Sequence, residues 1–226
     1  MTYLGVPLIT SALRIANCNR LVEFIARHIT HWTSRFLSYA RRLQLVISVL
    51  FAVQMYWFLL LILPVGVYKK LERLISNFLW SDFSMRTPSL KVPWEVVTRP
   101  RKEGGLGIKK LIEWNRAAAL KHLWLILSGG KGSIWVEWVR VYLFKGKSVW
   151  LASIPTKCLW VWRNLLVLCH LMKKLVSWCM GDGSRISFWL DAWLPCGPLL
   201  EALGGGFRQR IGIPLNSYVQ EFYAGD

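Results

Sequence analysis

Residues 43–68, LQLVISVLFAVQMYWFLLLILPVGVY, decide how this chain is read. They run without a formal charge between Arg41-Arg42 and Lys69-Lys70. About 20 apolar residues suffice to cross a bilayer, so a membrane anchor through 43–68 is one reading. The other reading is a helix of a shared hydrophobic core. Gln44, Ser48 and Gln54 interrupt the run, Pro64-Val65-Gly66 breaks it near its end, and the basic pairs on both sides give no orientation bias. Pro64 cannot donate a backbone hydrogen bond, so the spacing predicts a helix from about Ser38 that ends before it.

Working outward, the flanks are amphipathic. In 12–32, Leu21, Ile25, Ile29 and Trp32 recur at spacings of three and four, while Arg14, Arg20 and Arg27 fall elsewhere. From about Val67 to Trp80, Leu71, Leu74, Ile75, Phe78 and Leu79 share one side and Lys69, Lys70 and Arg73 the other. Pro88, Pro93, Pro100 and the cluster Gly104-Gly105-Leu106-Gly107 then mark a structured basic connector. Helical patterns resume over 111–127, 133–144 and 160–175. Gly181-Asp182-Gly183 followed by Ile186, Phe188 and Leu190 predicts a β-hairpin within 176–194. The expected fold is mainly α. It comprises a helical bundle (1–81), the connector (82–110), further helices (111–175), a small C-terminal hairpin (176–194) and a loosely ordered Gly- and Pro-rich tail (195–226).

The composition narrows the function. The chain has 226 residues, 54% of them hydrophobic and 14 of them Trp, with 29 Lys+Arg against 12 Asp+Glu for a formal charge of +17. So apolar a chain has ample surface to bury against the entropy of ordering, which excludes intrinsic disorder. Five Cys, an odd number at ordinary density, exclude a disulfide scaffold, and 1–8 hold no signal-peptide pattern, so a reducing compartment is expected. The surplus positive charge points to a polyanion, either nucleic acid or an anionic membrane face.

Catalytic patterns are missing. Metal-dependent phosphodiester chemistry needs clustered carboxylates, yet the four Asp are Asp82, Asp182, Asp191 and Asp226, none adjacent to another. No phosphate-binding Gly-Lys-Ser/Thr loop, His-Glu-x-x-His or Gly-x-Ser-x-Gly occurs. Cys158, Cys169, His170, Cys179 and Cys196 lack ligand spacing, so the cysteines read as buried apolar side chains rather than zinc ligands. Trp32, Trp80, Trp124, Trp138 and Trp162 lie in apolar helical stripes and read as core filling rather than base-stacking platforms.

Several blocks, in order, carry a family resemblance: Tyr3-Leu4-Gly5-Val6-Pro7-Leu8; Trp32 with Phe36-Leu37-Ser38-Tyr39-Ala40 and Arg42-Leu43-Gln44-Leu45-Val46; Tyr56-Trp57, Leu63-Pro64 and Phe78-Leu79-Trp80. The most specific is Lys91-Val92-Pro93-Trp94, Pro100, Glu103-Gly104-Gly105-Leu106-Gly107-Ile108, Trp114-Asn115, Lys121 and Trp124. Trp135, Trp138, Trp160, Trp162-Arg163, Gly181-Asp182-Gly183, Ser187-Phe188-Trp189, Asp191, Trp193 and Gly197-Pro198-Leu199 complete it. Over nearly its whole length the chain resembles the thumb and post-thumb segment of plant non-LTR (LINE-type) retrotransposon reverse transcriptases.

The resemblance implies a fragment of an RNA-directed DNA polymerase that is not an enzyme on its own. The family's palm carboxylates, which bind magnesium, and its endonuclease would lie upstream, and its zinc-binding region downstream. No cofactor is then expected in this chain. Its partners would be the backbone of RNA or an RNA/DNA duplex and the palm of a parent polymerase, and its place the nucleus or cytoplasm, with a membrane as the alternative through 43–68. An inert or interaction-only remnant is the third reading. A thumb grips its duplex by the phosphates, which cations contact without reading sequence. The candidate residues are Arg35, Arg41, Arg42, Lys69 and Lys70 from the thumb-like helices, and Arg99, Arg101, Lys102, Lys109 and Lys110 from the connector. The chain departs from the family pattern at Ala40-Arg41-Arg42, where Ala-Gly-Arg is usual, and at Val65-Gly66, where basic residues often follow Leu-Pro.

Overall fold

The computed structural model describes residues 2–3, 5–8, 12–33, 37–80, 92–130, 132–145, 147–152 and 160–222. The fold is mainly helical. The chain forms two units, residues 1–122 with 157–164 and residues 123–156 with 165–226.

The first unit opens with a two-residue antiparallel pairing, β1 (Thr2–Tyr3) against β2 (Val6–Pro7). A short 3-10 turn, Ile15–Cys18, leads into α1 (Asn19–Thr33). Next comes one continuous rod, Tyr39–Leu60, made of α2 (Tyr39–Leu45), a π-helical turn (Val46–Leu50) and α3 (Phe51–Leu60). The antiparallel partner of this rod in sequence, α4 (Val65–Trp80), follows a four-residue break. Then come the short α5 (Trp94–Val97), a 3-10 turn (Arg101–Glu103) and the start of α6 (Leu111–Leu127).

The run 43–68 is therefore not a single helix. Leu61 leaves the rod in an extended conformation, with its N–H making the last helical bond to Trp57 O at 2.8 Å. The chain then restarts directly after Pro64, whose ring suits the position before a helix and whose carbonyl accepts from Val67 N. That places the start of α4 two residues before the expected Val67.

The rod Tyr39–Leu60 is long and apolar enough to cross a membrane. Its faces nevertheless differ. Val46, Leu50, Gln54, Trp57 and Phe58 are buried in the unit's own core, whereas Gln44, Ser48, Ala52 and Tyr56, each four residues from the last, face outward. The core joins these buried residues to Cys18, Leu21 and Ile25 of α1 and to Val67, Leu71, Ile75, Phe78 and Leu79 of α4. Each large aliphatic or aromatic side chain fully buried here contributes about 1.5–3 kcal/mol.

The second unit contains the last turn of α6, α7 (Ile134–Trp138) continuing as a π-helical turn (Val139–Phe144), a 3-10 turn (Val149–Leu151), and most of α8 (Trp160–Leu175). Its core includes Leu123, Ile126, Val136, Val139, Phe144, Leu165, Met172, Ile186, Trp189, Leu190 and Val219.

Two expectations are corrected here. No β-hairpin forms within 176–194. The chain does reverse there, and Trp178 N donates to Ala192 O at 2.8 Å, but no ladder follows. Instead 183–188 pairs with the distant segment 217–220. Phe188 N donates to Ser217 O, Val219 N to Ile186 O and Gln220 N to Gly183 O, around a single antiparallel bridge between Ser187 and Tyr218. Gly183 sits at φ +71°, and a Cβ there would come within 2.8 Å of Gln220 N, so this glycine serves the long-range pairing. The tail expected to be loose also carries order. It forms α9 (Leu199–Leu203), α10 (Gly205–Ile211) and a 3-10 turn, Val219–Glu221, with Val219 buried. Leu200 N donates to Trp189 O, and Lys173 of α8 pairs with Glu201 of α9.

Candidate nucleic-acid interface

The connector earns its shape from its prolines and glycines. Pro93 precedes α5 and Pro100 precedes the 3-10 turn, each at a position where no N–H is needed. The chain then folds back on itself: Gly105 N donates to Pro100 O, Leu106 N to Val97 O and Gly107 N to Arg99 O. A Cβ on Gly105 would stand 2.1 Å from Arg99 O, so only glycine fits this close backbone approach. The result is a compact knot over 97–107. Arg99, Arg101 and Lys102 are all exposed on it, with Glu103 the one acid among them.

A second element, missed by the sequence reading as anything but a family motif, holds the knot's neighbour α6 in place. Asn115 is fully buried, and its amide is engaged with the four-residue break and the helix ends on either side of it. Its Oδ1 accepts from Leu63 N at 2.8 Å and from the Tyr68 hydroxyl at 2.5 Å; its Nδ2 donates to Phe58 O at 3.0 Å and Leu61 O at 2.8 Å. Two turns further along the same face of α6, His122 Nε2 donates to Leu59 O at 2.6 Å. Burial drives the Tyr68 hydroxyl well above its ordinary pKa, so it remains a donor.

The candidate cations divide by environment. Arg41, Lys69, Lys70, Arg99, Arg101, Lys102 and Lys110 are exposed. Arg42 is half-buried and its guanidinium donates to Leu37 O at 3.1 Å and, at the limit of 3.5 Å, to Phe78 O near the end of α4. Lys69 and Lys70 stand in the first turns of that helix, roughly 12 Å from Phe78 at 1.5 Å per residue, so Arg42 and the lysine pair do not meet. Lys109 lies 3.5 Å from the centre of the Trp114 ring and 4.6 Å from that of Phe51, a cation held by two aromatic faces. Lys110 pairs with Glu113 at 3.4 Å, both side chains open to solvent. Arg35 lies outside the described residues, as does Cys158; of the other cysteines read as buried, Cys169 is half-buried, whereas Cys179 and Cys196 are exposed.

The α4 surface near the lysine pair also meets α5. Glu72 titrates above the usual carboxylate range, chiefly through burial; the Trp94 indole opposes the shift and nearby Glu95 adds to it. The connector thus returns to the N-terminal half of α4, where Lys69 and Lys70 stand.

Two of the Trp residues read as core filling are corrected: Trp124 is 53% and Trp138 47% exposed, and Trp138 instead packs on Tyr142 with ring centres 5.7 Å apart. Trp162 is buried, and Trp32 and Trp80 are half-buried against the first unit's core. Among the described residues no group of three His, Cys, Asp or Glu is placed to hold a metal ion.

Comparison with known proteins gives two similarities. The chain is 31% identical over 205 residues, 88% of its length, to a protein of Arabidopsis thaliana that bears the name of a ribonuclease H protein. It is 25% identical over 127 residues, 56% of its length, to an uncharacterized mitochondrial protein of the same plant, of which it covers 82%. No protein-family model and no solved structure matches the chain. The chain spans about a third (32%) of the length of the first of these relatives.

Proposed function

We propose that this chain is the thumb and post-thumb part of a plant non-LTR retroelement reverse transcriptase, and that it grips the backbone of RNA or an RNA/DNA duplex without catalysing a reaction itself. The observation that carries the reading is the 97–107 knot, which presents Arg99, Arg101 and Lys102 together on a backbone held by Gly105 and by the bonds to Val97 and Arg99 carbonyls. Cations fixed on a rigid turn suit phosphates, whose recognition needs charge and geometry but no base contact. Lys69 and Lys70, exposed on α4, would add phosphate contacts. Lys109 and Arg42 are committed to the protein's own groups and serve the fold first. In a parent polymerase the same unit would dock on a palm carrying the magnesium-binding carboxylates.

The test is a salt series. Binding of the whole chain to a short RNA/DNA duplex weakens linearly in log K against log salt, with a slope of about −0.9 per phosphate contact. Replacing Arg99, Arg101 and Lys102 together by Gln reduces that slope by about 2–3, with no dependence on sequence, whereas Lys109→Gln leaves it unchanged. An unchanged slope in the triple variant refutes the reading, as does magnesium-dependent primer extension by the chain alone.

A second reading rests on the 22-residue rod Tyr39–Leu60, long and apolar enough to anchor the chain in a membrane. Flotation of the same preparation with neutral lipid vesicles, resistant to carbonate washing, is its expected sign.

A further inference from the structure

The second unit holds a cleft of about 440 Å³ that the proposed grip does not use. Its lining brings together Arg140, Lys147 and Arg185, the aromatic side chains of Trp150, Trp178 and Tyr218, and one acid, Asp191. From these residues we propose that the cleft is a nucleotide site, taking a phosphate on its arginines and a planar base among its aromatic rings.

The phosphate end is marked by Gly129. This glycine follows α6 at φ +90°, and the position its Cβ would occupy lies 3.2 Å from Arg185 Nη1 and 3.9 Å from Arg140 Nη2. Two guanidinium groups therefore converge on one small space that a side chain would fill. Like charges brought together in this way repel unless an anion stands between them. Arg140 is oriented by donating from Nη2 to Ile126 O at 3.0 Å, at the C-terminal end of α6. Both arginines remain exposed to an incoming ligand. Exposed Asp182 also acts on Arg185: its carboxyl is lowered mainly by hydrogen bonds from Ser184 and further by Arg185. An arginine pair suits phosphate because each planar guanidinium offers parallel N–H donors.

Among the described residues Asp191 forms no ion pair with Arg140 or Arg185. It is buried and spoken for: Oδ1 accepts from Trp150 Nε1 at 2.5 Å and Oδ2 from Ser187 N at 2.7 Å. Its task is to fix the Trp150 indole as a wall of the cleft. A cavity of this volume is within the range that encloses a ligand the size of a mononucleotide. A flat ring with an anionic group is the chemistry that both halves of the lining recognise, since bases stack on aromatic faces regardless of their identity.

The experiment titrates the whole chain by calorimetry with AMP, inorganic phosphate, adenosine and a 5′-phosphorylated oligonucleotide. The site predicts that AMP binds at least about tenfold more tightly than either phosphate or adenosine, and that Arg185→Gln weakens AMP by about tenfold or more. Arg185→Lys restores part of the loss, which a damaged fold would not. If the phosphorylated oligonucleotide matches AMP and loses affinity with Arg185→Gln, the nucleotide comes from a strand end; if only AMP binds there, it comes free from solution. Equal binding of phosphate and AMP, no binding of AMP, or indifference to Arg185→Gln overturns the assignment. The result is separable from the grip of the first unit, because the Arg99, Arg101 and Lys102 triple variant keeps its AMP affinity.

Discussion

Asn115→Ala is expected to be among the most damaging single substitutions in the first unit. The side chain makes four hydrogen bonds inside the protein, two accepted and two donated, and it is completely buried. Each such bond is worth about 1 kcal/mol net, and the partners left without one cost more because no water reaches them in the closed core. Allowing for partial relaxation, the loss is about 3–5 kcal/mol, a large share of the 5–15 kcal/mol that holds an ordinary domain together. With a urea dependence of about 2 kcal/mol per molar, the unfolding midpoint falls by roughly 2 M. Tyr68→Phe removes one of the four bonds and costs only about 1 kcal/mol. The assay is urea unfolding followed by far-ultraviolet circular dichroism on the single variants and the double variant. A nonadditive double mutant is expected, because Tyr68→Phe removes a bond that Asn115→Ala has already destroyed. A loss below about 1 kcal/mol for Asn115→Ala, or strict additivity, refutes the claim that this amide ties α6 to the break between α3 and α4.

Two further outcomes follow from buried polar groups. Gln54 is fully buried beside the π-helical turn, and among the described residues neither its Nε2 nor its Oε1 has a hydrogen-bond partner, so Gln54→Met is expected to stabilise the chain by about 1–2 kcal/mol, read as a higher urea midpoint. A lower midpoint would show that the amide is bonded in solution. The Asp191 carboxyl is raised above 3.8 by burial, against the hydrogen bonds from Trp150 and Ser187. Because the folded state holds this proton more tightly than the unfolded chain, the associated stability is complete below pH 3.8 and is lost as pH rises through the raised value. Stability of the unaltered chain relative to Asp191→Asn should therefore decline from about pH 4 upward and then level off; a difference that grows with pH contradicts it.

Local chemistry made much of this protein legible in advance. The stripes Leu21/Ile25 and Leu71/Ile75/Phe78, the stop before Pro64, the limits 111–127 and 160–175, and the tight turn at Gly104–Gly107 follow from periodicity, ring closure and backbone freedom, all of which act within a few residues. The charge count likewise named the cations of the connector, and their exposure follows from the cost of burying a charge.

What the sequence could not decide was which distant groups would meet. Ile186 and Phe188 alternate as a strand should, yet their backbone partners lie at 217–220, and no local rule selects a partner 30 residues away over one beside it. Trp124 and Trp138 fit a core pattern but face outward, and Arg42 and Lys109 count as surface charges until the carbonyls and rings that hold them are in place. Asn115 and Gln54 look alike as polar letters in apolar helices. One is satisfied four times over and the other, among the described residues, not at all, because hydrogen bonding depends on ångström-scale positions that only the packed chain fixes. The convergence of Arg140 and Arg185 at Gly129 arises in the same way, from three segments brought together by packing and joined by no motif.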